Sequence, residues 1–173
     1  TAARLSITRA AAVQIIHKFH GLFPAISRWI AGVRERARKS GYVQTMGKFR
    51  RYLPDMTSSN SSKRAAAERQ SVNTIIQGSA SEIMKFAMIS MAAAIEGQDW
   101  DYEGQSLSKP ILIASIHDEL LYSVNKKLVP SLVRCLRRVM EEDVPAQFSL
   151  PLKLSVNVSS GENWGELQDY RPS

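Results

Sequence analysis

The sequence predicts an α+β fold, with a basic helical first part and a small antiparallel sheet in the second. Three observations lead there. Apolar residues recur at helical spacing over residues 8–19, 24–39, 63–96 and 127–143. Two runs of β-formers, Ile111–Ile116 and Leu120–Val124, flank the polar break His117-Asp118-Glu119. Positions 150, 152, 154, 156 and 158 are Leu, Leu, Leu, Val and Val, the period of a half-buried strand.

In the first helix Ala11, Ala12, Ile15, Ile16 and Phe19 repeat at helical spacing, and Gly21 and Pro24 break it. The second starts at Pro24, runs through Ile26, Trp29, Ile30 and Val33, and stops before Gly41. Arg34, Arg36, Arg38 and Lys39 crowd its last turns, where cations suit the helix dipole. Residues 41–54 read as two short strands about a glycine turn. Lys48, Arg50 and Arg51 interleave there with Phe49 and Tyr52, a pattern that suits a nucleic-acid backbone and equally suits a charged edge that blocks aggregation. The polar stretch 57–62 is a loop able to cap the helix after it.

The longest helical pattern is 63–96. Ile76, Ala80, Ile83, Ala87 and Met91 mark its expected core face, and Gly78 is placed to bend or interrupt it. Arg69, Asn73 and Gln77 recur at i, i+4 and i+8 and so share one stripe. A guanidinium fork beside two amides matches the acceptor edge of a DNA minor groove, where readout is degenerate. The competing reading is a solvated face in which Glu68 and Arg69 pair. Residues 97–110 read as a loop. Residues 127–143 form an amphipathic helix with Leu128, Leu132, Leu136 and Val139 inward, Arg134, Arg137 and Arg138 outward, and Pro145 ending it. The alternating 150–158 strand is expected to pair with the hairpin around Asp118, whose apolar flanks would be buried, and Trp164 to pack on the body.

Composition narrows the function classes. Residues 1–70 carry 14 Lys and Arg against 3 Asp and Glu, net +11; residues 71–173 carry 9 against 13, net −4. A polyanion facing the first part and acidic chemistry in the second account for that asymmetry. No run approaches the ~18 apolar residues of a membrane span, and the basic residues lack the Trp/Phe/Leu face of a membrane-surface helix, so no membrane partner is expected. The single cysteine, Cys135, excludes an internal disulfide and reads as a buried structural thiol. The composition divides the chain into a basic part, 1–96, and a part with the acidic turn, last helix and last strand, 97–173.

Five motifs in sequence resemble the C-terminal part of family A DNA polymerases, over residues 20–170. They are Gly41-Tyr42-Val43-Gln44-Thr45, Arg50-Arg51-Tyr52-Leu53-Pro54, Glu68-Arg69 with Asn73, Ile76-Gln77-Gly78-Ser79-Ala80 followed by Lys85, and His117-Asp118-Glu119-Leu120. The endings His117–Tyr122 and Trp164-Gly165-Glu166-Leu167 look most like the polymerase theta branch. The resemblance implies a helical fingers segment packed on a small antiparallel palm sheet that carries a metal-binding hairpin. It implies catalytic roles for Asp118 and Glu119: Asp118 as one of two aspartates holding the catalytic Mg²⁺ ions, two in the complete enzyme, and Glu119 in support. His117 then touches the primer end, and Arg69, Asn73 and Gln77 contact the minor groove, with Lys48, Arg50 and Arg51 on DNA. The implied partners are primer–template DNA, dNTP and an upstream remainder of the polymerase.

The family's first aspartate motif and its triphosphate-gripping helix are not found here, so the isolated chain is expected to be inactive. DNA repair in the nucleus, with the mitochondrion as the alternative compartment, is the setting the theta likeness implies. The alternative reading is a non-catalytic DNA-binding or interaction module with the same fold. A hydrolase built on His117-Asp118 lacks further ligands, since His17 and His20 sit in a structural helix. Two departures stand out: the family's Gly-Arg-Arg-Arg-Tyr becomes Gly47-Lys48-Phe49-Arg50-Arg51-Tyr52, and Ser-Ala-Ala-Asp becomes Ser79-Ala80-Ser81-Glu82.

Overall fold

A computed structural model describes residues 7–171. By internal contacts the chain forms two compact units that divide between Ser79 and Ala80.

In the first unit Thr8 caps α1 (Arg9–Leu22), its side chain accepting from Ala11 N. This helix buries only Ala12, while Ile15, Ile16 and Phe19 remain exposed. His20 Nδ1 hydrogen-bonds Ser27 Oγ at 2.8 Å, so it is a tie between helices. The next helix, α2 (Pro24–Ser40), begins with proline at its first position and ends on left-handed Gly41, φ 76°. The strands β1 (Tyr42–Gln44) and β2 (Arg50–Tyr52) pair antiparallel, Tyr42 opposite Tyr52 and Val43 opposite Arg51. After a 3₁₀ turn at Pro54–Thr57, Asn60 caps α3 (Ser61–Asn73) by accepting from Ser62 N and Lys63 N. The core of this unit is Val33, Ala37, Val43, Leu53, Met56 and Ala67. Glu68 ties α2 to α3 through Arg38 and, at 3.9 Å, Arg34.

A π turn, Thr74–Gly78, closes α3. It corrects the expected core face. A π turn adds one residue to a helical repeat, so inward positions run Ala67, Ser71 and Thr74 and resume at Ser79 instead of Gly78. Ile76, expected inside, is 57% exposed, and Ala80 is exposed as well. Gly78 is where β1 comes closest: a Cβ there would lie 2.7 Å from Thr45 Cγ2. Met46 N donates to Ser79 Oγ at the same contact, 3.0 Å.

The second unit is built on α4 (Ser79–Glu96), whose Ala87, Met91 and Ile95 are buried as periodicity requires. They pack with Trp100, Leu128, Leu132, Cys135, Val139 and Val144. Residues 97–110 are more ordered than a loop. They hold a small hairpin, β3 (Asp101–Tyr102) with β4 (Gln105–Ser106), turned at Glu103-Gly104, and Trp100 Nε1 donates to Ile95 O. The strands β5 (Ile111–Ile116) and β6 (Glu119–Ser123) then pair, with a register irregularity between Leu112 and Ala114. The helix α5 (Val129–Arg138) continues through a π turn, Val139–Asp143, into α6 (Val144–Gln147). Pro145 therefore does not end the helix; the widened turn before it makes room for a ring that lacks an N–H. The chain closes with β7 (Ser159–Ser160) against β8 (Gln168–Asp169).

Three sheet expectations are corrected. Among the described residues there are four two-stranded ribbons and no wider sheet. Residues 150–158 keep their alternation, with 154, 156 and 158 half-buried, but no strand pairs with them, so they form no ladder with the Asp118 hairpin. Only one flank of that hairpin packs as expected: Ile111, Leu112 and Ile113 are 61%, 37% and 58% exposed, whereas Leu120, Leu121 and Tyr122 are half-buried, with Tyr122 and Val124 against the core. Trp164 is exposed. No helix of the described residues is long and apolar enough to cross a membrane.

Candidate nucleic-acid interface and acidic turn

The stripe on α3 follows from the helix's own burial. Ala67 and Ser71 face the core, which leaves Arg69, Asn73 and Gln77 exposed on the far side. Asn73 Nδ2 donates to Gln77 Oε1 across the π turn, 3.4 Å, so the two amides act as a pair. Glu68 is engaged by the α2 arginines and leaves Arg69 alone; among the described residues the Arg69 guanidinium has no ion pair. The Glu68–Arg69 pair of the solvated-face reading does not form, though the face itself is open to solvent. All three stripe residues line an open cleft of about 590 Å³ with Ile30, Arg34 and Ile76. Arg34 Nε, buried beside it, has no partner. Amides and guanidinium above an apolar floor are the groups that meet the sugar edge and acceptor row of a minor groove.

The hairpin β1–β2 carries the other basic residues. Val43 faces the core, and on the same face Arg51 Nη1 donates to Thr74 Oγ1 at 3.3 Å. The opposite face holds Arg50, whose guanidinium lies 4.8 Å from the Tyr42 ring centroid. Lys48, at the turn, has φ 73°. This is the left-handed position that the turn demands, and Gly47 stands one residue before it. The displaced glycine thus leaves a lysine in a conformation that disfavours side chains. Lys48 and Arg50 are exposed and available to phosphates, whereas Arg51 is committed in part to Thr74.

The acidic turn belongs to the second unit. Ile116 pairs with Glu119, so His117 and Asp118 form a two-residue turn, and His117 takes φ 56°. The side chains of His117, Asp118 and Glu119 are exposed, and none has a hydrogen bond or ion pair among the described residues. Asp118 is not in a buried ion pair. Asp118 and Glu119 offer the hard carboxylate oxygens that Mg²⁺ prefers. The number of donors is short, since no group of three or more His, Cys, Asp or Glu among the described residues could hold a metal. The chemistry of the donors fits a divalent ion; a two-ion centre needs ligands beyond these.

Cys135, 6% exposed, is the buried thiol expected, and burial pushes its pKa up, away from a reactive thiolate. Sequence reasoning missed Trp100 as a core group. Glu103-Gly104, a turn dipeptide flanked by short extended pairs, was the available signal for it. Tyr122 packs on the core with a buried, unpartnered hydroxyl, and desolvation pushes its pKa to about 12.

The sequence profile of DNA polymerase family A matches residues 1–166. DNA polymerase I of Bacillus caldotenax is 35% identical over 163 residues, 94% of this chain and 17% of that protein. DNA polymerase I of Chloroflexus aurantiacus is 37% identical over 166 residues, 96% of this chain and 16% of that protein. The POL domain of Pol1 from M. smegmatis, solved in complex with DNA primer-template and dNTP, superposes with a TM-score of 0.69 at 34% identity, over 81% of this chain and 23% of that one. The chain thus spans about 17% of the length of the curated relatives it matches.

Proposed function

Because this chain belongs to DNA polymerase family A, we propose that it works as part of a template-directed DNA polymerase, extending a DNA primer with dNTPs. The observation that carries the reading is Asp118: an exposed carboxylate with no partner among the described residues, set at a two-residue turn in a chain of this family. A carboxylate presented at a bend and left unneutralised is ready for a cation. The reaction is attack of the primer 3′-hydroxyl on the α-phosphate of the nucleotide, with pyrophosphate leaving. When bound, two Mg²⁺ ions supply stabilisation of the charge on the attacking and leaving oxygens.

The residues divide the remaining work. Asp118 gives one carboxylate to the metal site, with Glu119 beside it, and His117 meets the primer end. Arg69, Asn73 and Gln77 hold the minor groove, and Lys48, Arg50 and Arg51 meet DNA on the β1–β2 hairpin. The fingers and palm helices then occupy 1–96 and the rest of the palm 97–173. The first aspartate and the dNTP-gripping helix come from an upstream remainder, so this chain by itself does not polymerise. Similarity to about 17% of each relative's length supports that division of labour. The ending His117–Tyr122 and Trp164–Leu167 support a theta-like member, and through it a role in DNA repair in the nucleus or, alternatively, the mitochondrion.

Asp118→Ala in the polymerase that contains this chain tests the assignment. Nucleotide incorporation is expected to vanish while primer–template affinity stays near wild type. Unchanged incorporation would leave the non-catalytic DNA-binding reading, which the shortage of metal ligands favours.

A further inference from the structure

The stripe on α3 and the β1–β2 hairpin meet at the π turn, and two buried hydroxyls hold them together. Thr74, the first residue of the turn, is 8% exposed, and its Oγ1 accepts from Arg51 Nη1 at 3.3 Å. Ser79, the residue after the turn, is 5% exposed, and its Oγ accepts from Met46 N at 3.0 Å. Between them Gly78 admits the Thr45 methyl, which any Cβ at that position would strike. Each end of the widened turn is thus pinned to the hairpin by an inward hydroxyl. Gln77 lies between the two pins, exposed, and its Oε1 accepts from Asn73 Nδ2. A π turn holds one residue more than the helix around it, and without pins it is free to shift along the chain. A shift of one residue swings a side chain by about 100°, which takes Gln77 off the line of Arg69 and Asn73.

We propose that Thr74 and Ser79 are positioning residues for the stripe: their hydroxyls, anchored on the hairpin, fix the π turn in place and so aim Gln77 at the minor groove. The assignment rests on the reading that Arg69, Asn73 and Gln77 hold that groove, and it adds what sets their geometry. Neither hydroxyl touches DNA; each acts through Gln77.

The test measures affinity of the whole chain at low salt, by fluorescence anisotropy, for two labelled duplexes of one sequence. One is natural DNA and the other carries 3-deazapurines in both strands, which removes the purine N3 acceptors of the minor groove and leaves every phosphate. The natural duplex is expected to bind about tenfold more tightly, the worth of one or two hydrogen bonds. Thr74→Val keeps the shape of the side chain and removes its acceptor, and the ratio falls toward one. Ser79→Ala acts at the other pin and moves the ratio the same way. Thr74→Ser keeps the hydroxyl and with it the ratio. Gln77→Ala lowers the ratio by itself, and adding Thr74→Val changes it no further, since both act on one group. The slope of affinity against salt is unaltered in the Thr74 and Ser79 variants, because no phosphate contact is lost. A variant that merely loses folded protein weakens both duplexes alike and leaves the ratio untouched. A ratio that survives undiminished in Thr74→Val or in Ser79→Ala, while Gln77→Ala lowers it, overturns the positioning role and leaves the stripe in the groove. Equal affinity of the unmodified chain for the two duplexes overturns the minor-groove reading itself, and the positioning role with it.

Discussion

The two candidate hairpins are built on opposite plans. The basic one, β1–β2, is locked at its root: Val43 and Thr45 are buried, Arg51 reaches Thr74, Met46 bonds Ser79, and at Gly78 any side chain would collide with Thr45. The acidic one, β5–β6, is the longer of the two and the less anchored. Its first three residues are exposed, only β6 leans on the core through Tyr122, and its tip touches nothing among the described residues. Both nonetheless hold a non-glycine residue left-handed at the turn, Lys48 at φ 73° and His117 at φ 56°. A backbone contact can be made by a ribbon whose position is set by its own unit. A metal-binding carboxylate needs other ligands brought to it, and the bare β5 flank shows how little of this chain holds that turn in place.

The largest break in the comparison comes from the root of the basic hairpin. Met56 is 1% exposed among Val43, Leu53 and Ala67. Met56→Ala is expected to cost about 2–5 kcal/mol in urea unfolding. Amide exchange over β1–β2 should speed up, while β5–β6 amides, in the other unit, should change little. Equal loss of protection in both hairpins would show that the two units share one cooperative transition and would undo the contrast.

The sequence was readable where one local force decides. The Pro24 start and Gly41 stop of α2, the short strands around Gly47, the inward Leu128–Leu132–Val139 face and the buried Cys135 all follow from caps, turns or periodicity. It was misleading where a single residue changes the phase. The π turn at Thr74–Gly78 delays the inward position after Thr74 to Ser79 and leaves Ile76 outside, and no periodicity announces such an insertion. It also failed where pairing depends on a partner: the alternation of 150–158 is intact and half-buries one side, yet among the described residues only its end is paired, where Val158 O accepts from Tyr170 N. That 69, 73 and 77 share an exposed stripe and that 117–119 stand at a turn followed from spacing and from the polar break. The commitment of Glu68 to α2 instead of Arg69 did not, because it depends on which helix packs against α3.

The next effect sharpens the second hairpin. Tyr122 on β6 is its main grip on the core, with a buried hydroxyl that has no partner. Desolvation, and then the nearby Cys135, raise its pKa from 10.0 to about 12. A group whose folded pKa lies above its unfolded value favours folding by its neutral form, so no stability is lost below about pH 10. Between about pH 10 and 12 the unfolded chain ionises first and stability falls. A shift of that size on a partly exposed side chain amounts to about 1–2 kcal/mol by pH 12. Tyr122→Phe removes both the ionisation and the unpartnered hydroxyl. It is expected to stabilise the chain by up to about 1 kcal/mol at neutral pH and to flatten the alkaline decline. Denaturant midpoints measured from pH 8 to 12 check it, and an alkaline decline unchanged in the variant would place its cause elsewhere.

The smallest effect separates the two turns. Lys48 occupies the left-handed position that glycine would take without cost, and its neighbour Gly47 does not relieve it. Lys48→Gly is therefore expected to stabilise the chain by about 1 kcal/mol, read as a shift in the urea midpoint. The offset is the entropy that glycine adds to the unfolded chain, which takes back part of the gain. The same exchange at His117, φ 56°, relieves similar strain in a ribbon with less packing around it, so the gain should be smaller in proportion to how freely that turn already relaxes. If His117→Gly stabilises as much as Lys48→Gly, the acidic turn is held as rigidly as the basic one. The carboxylate of Asp118 is then positioned by its own ribbon before any other ligand arrives.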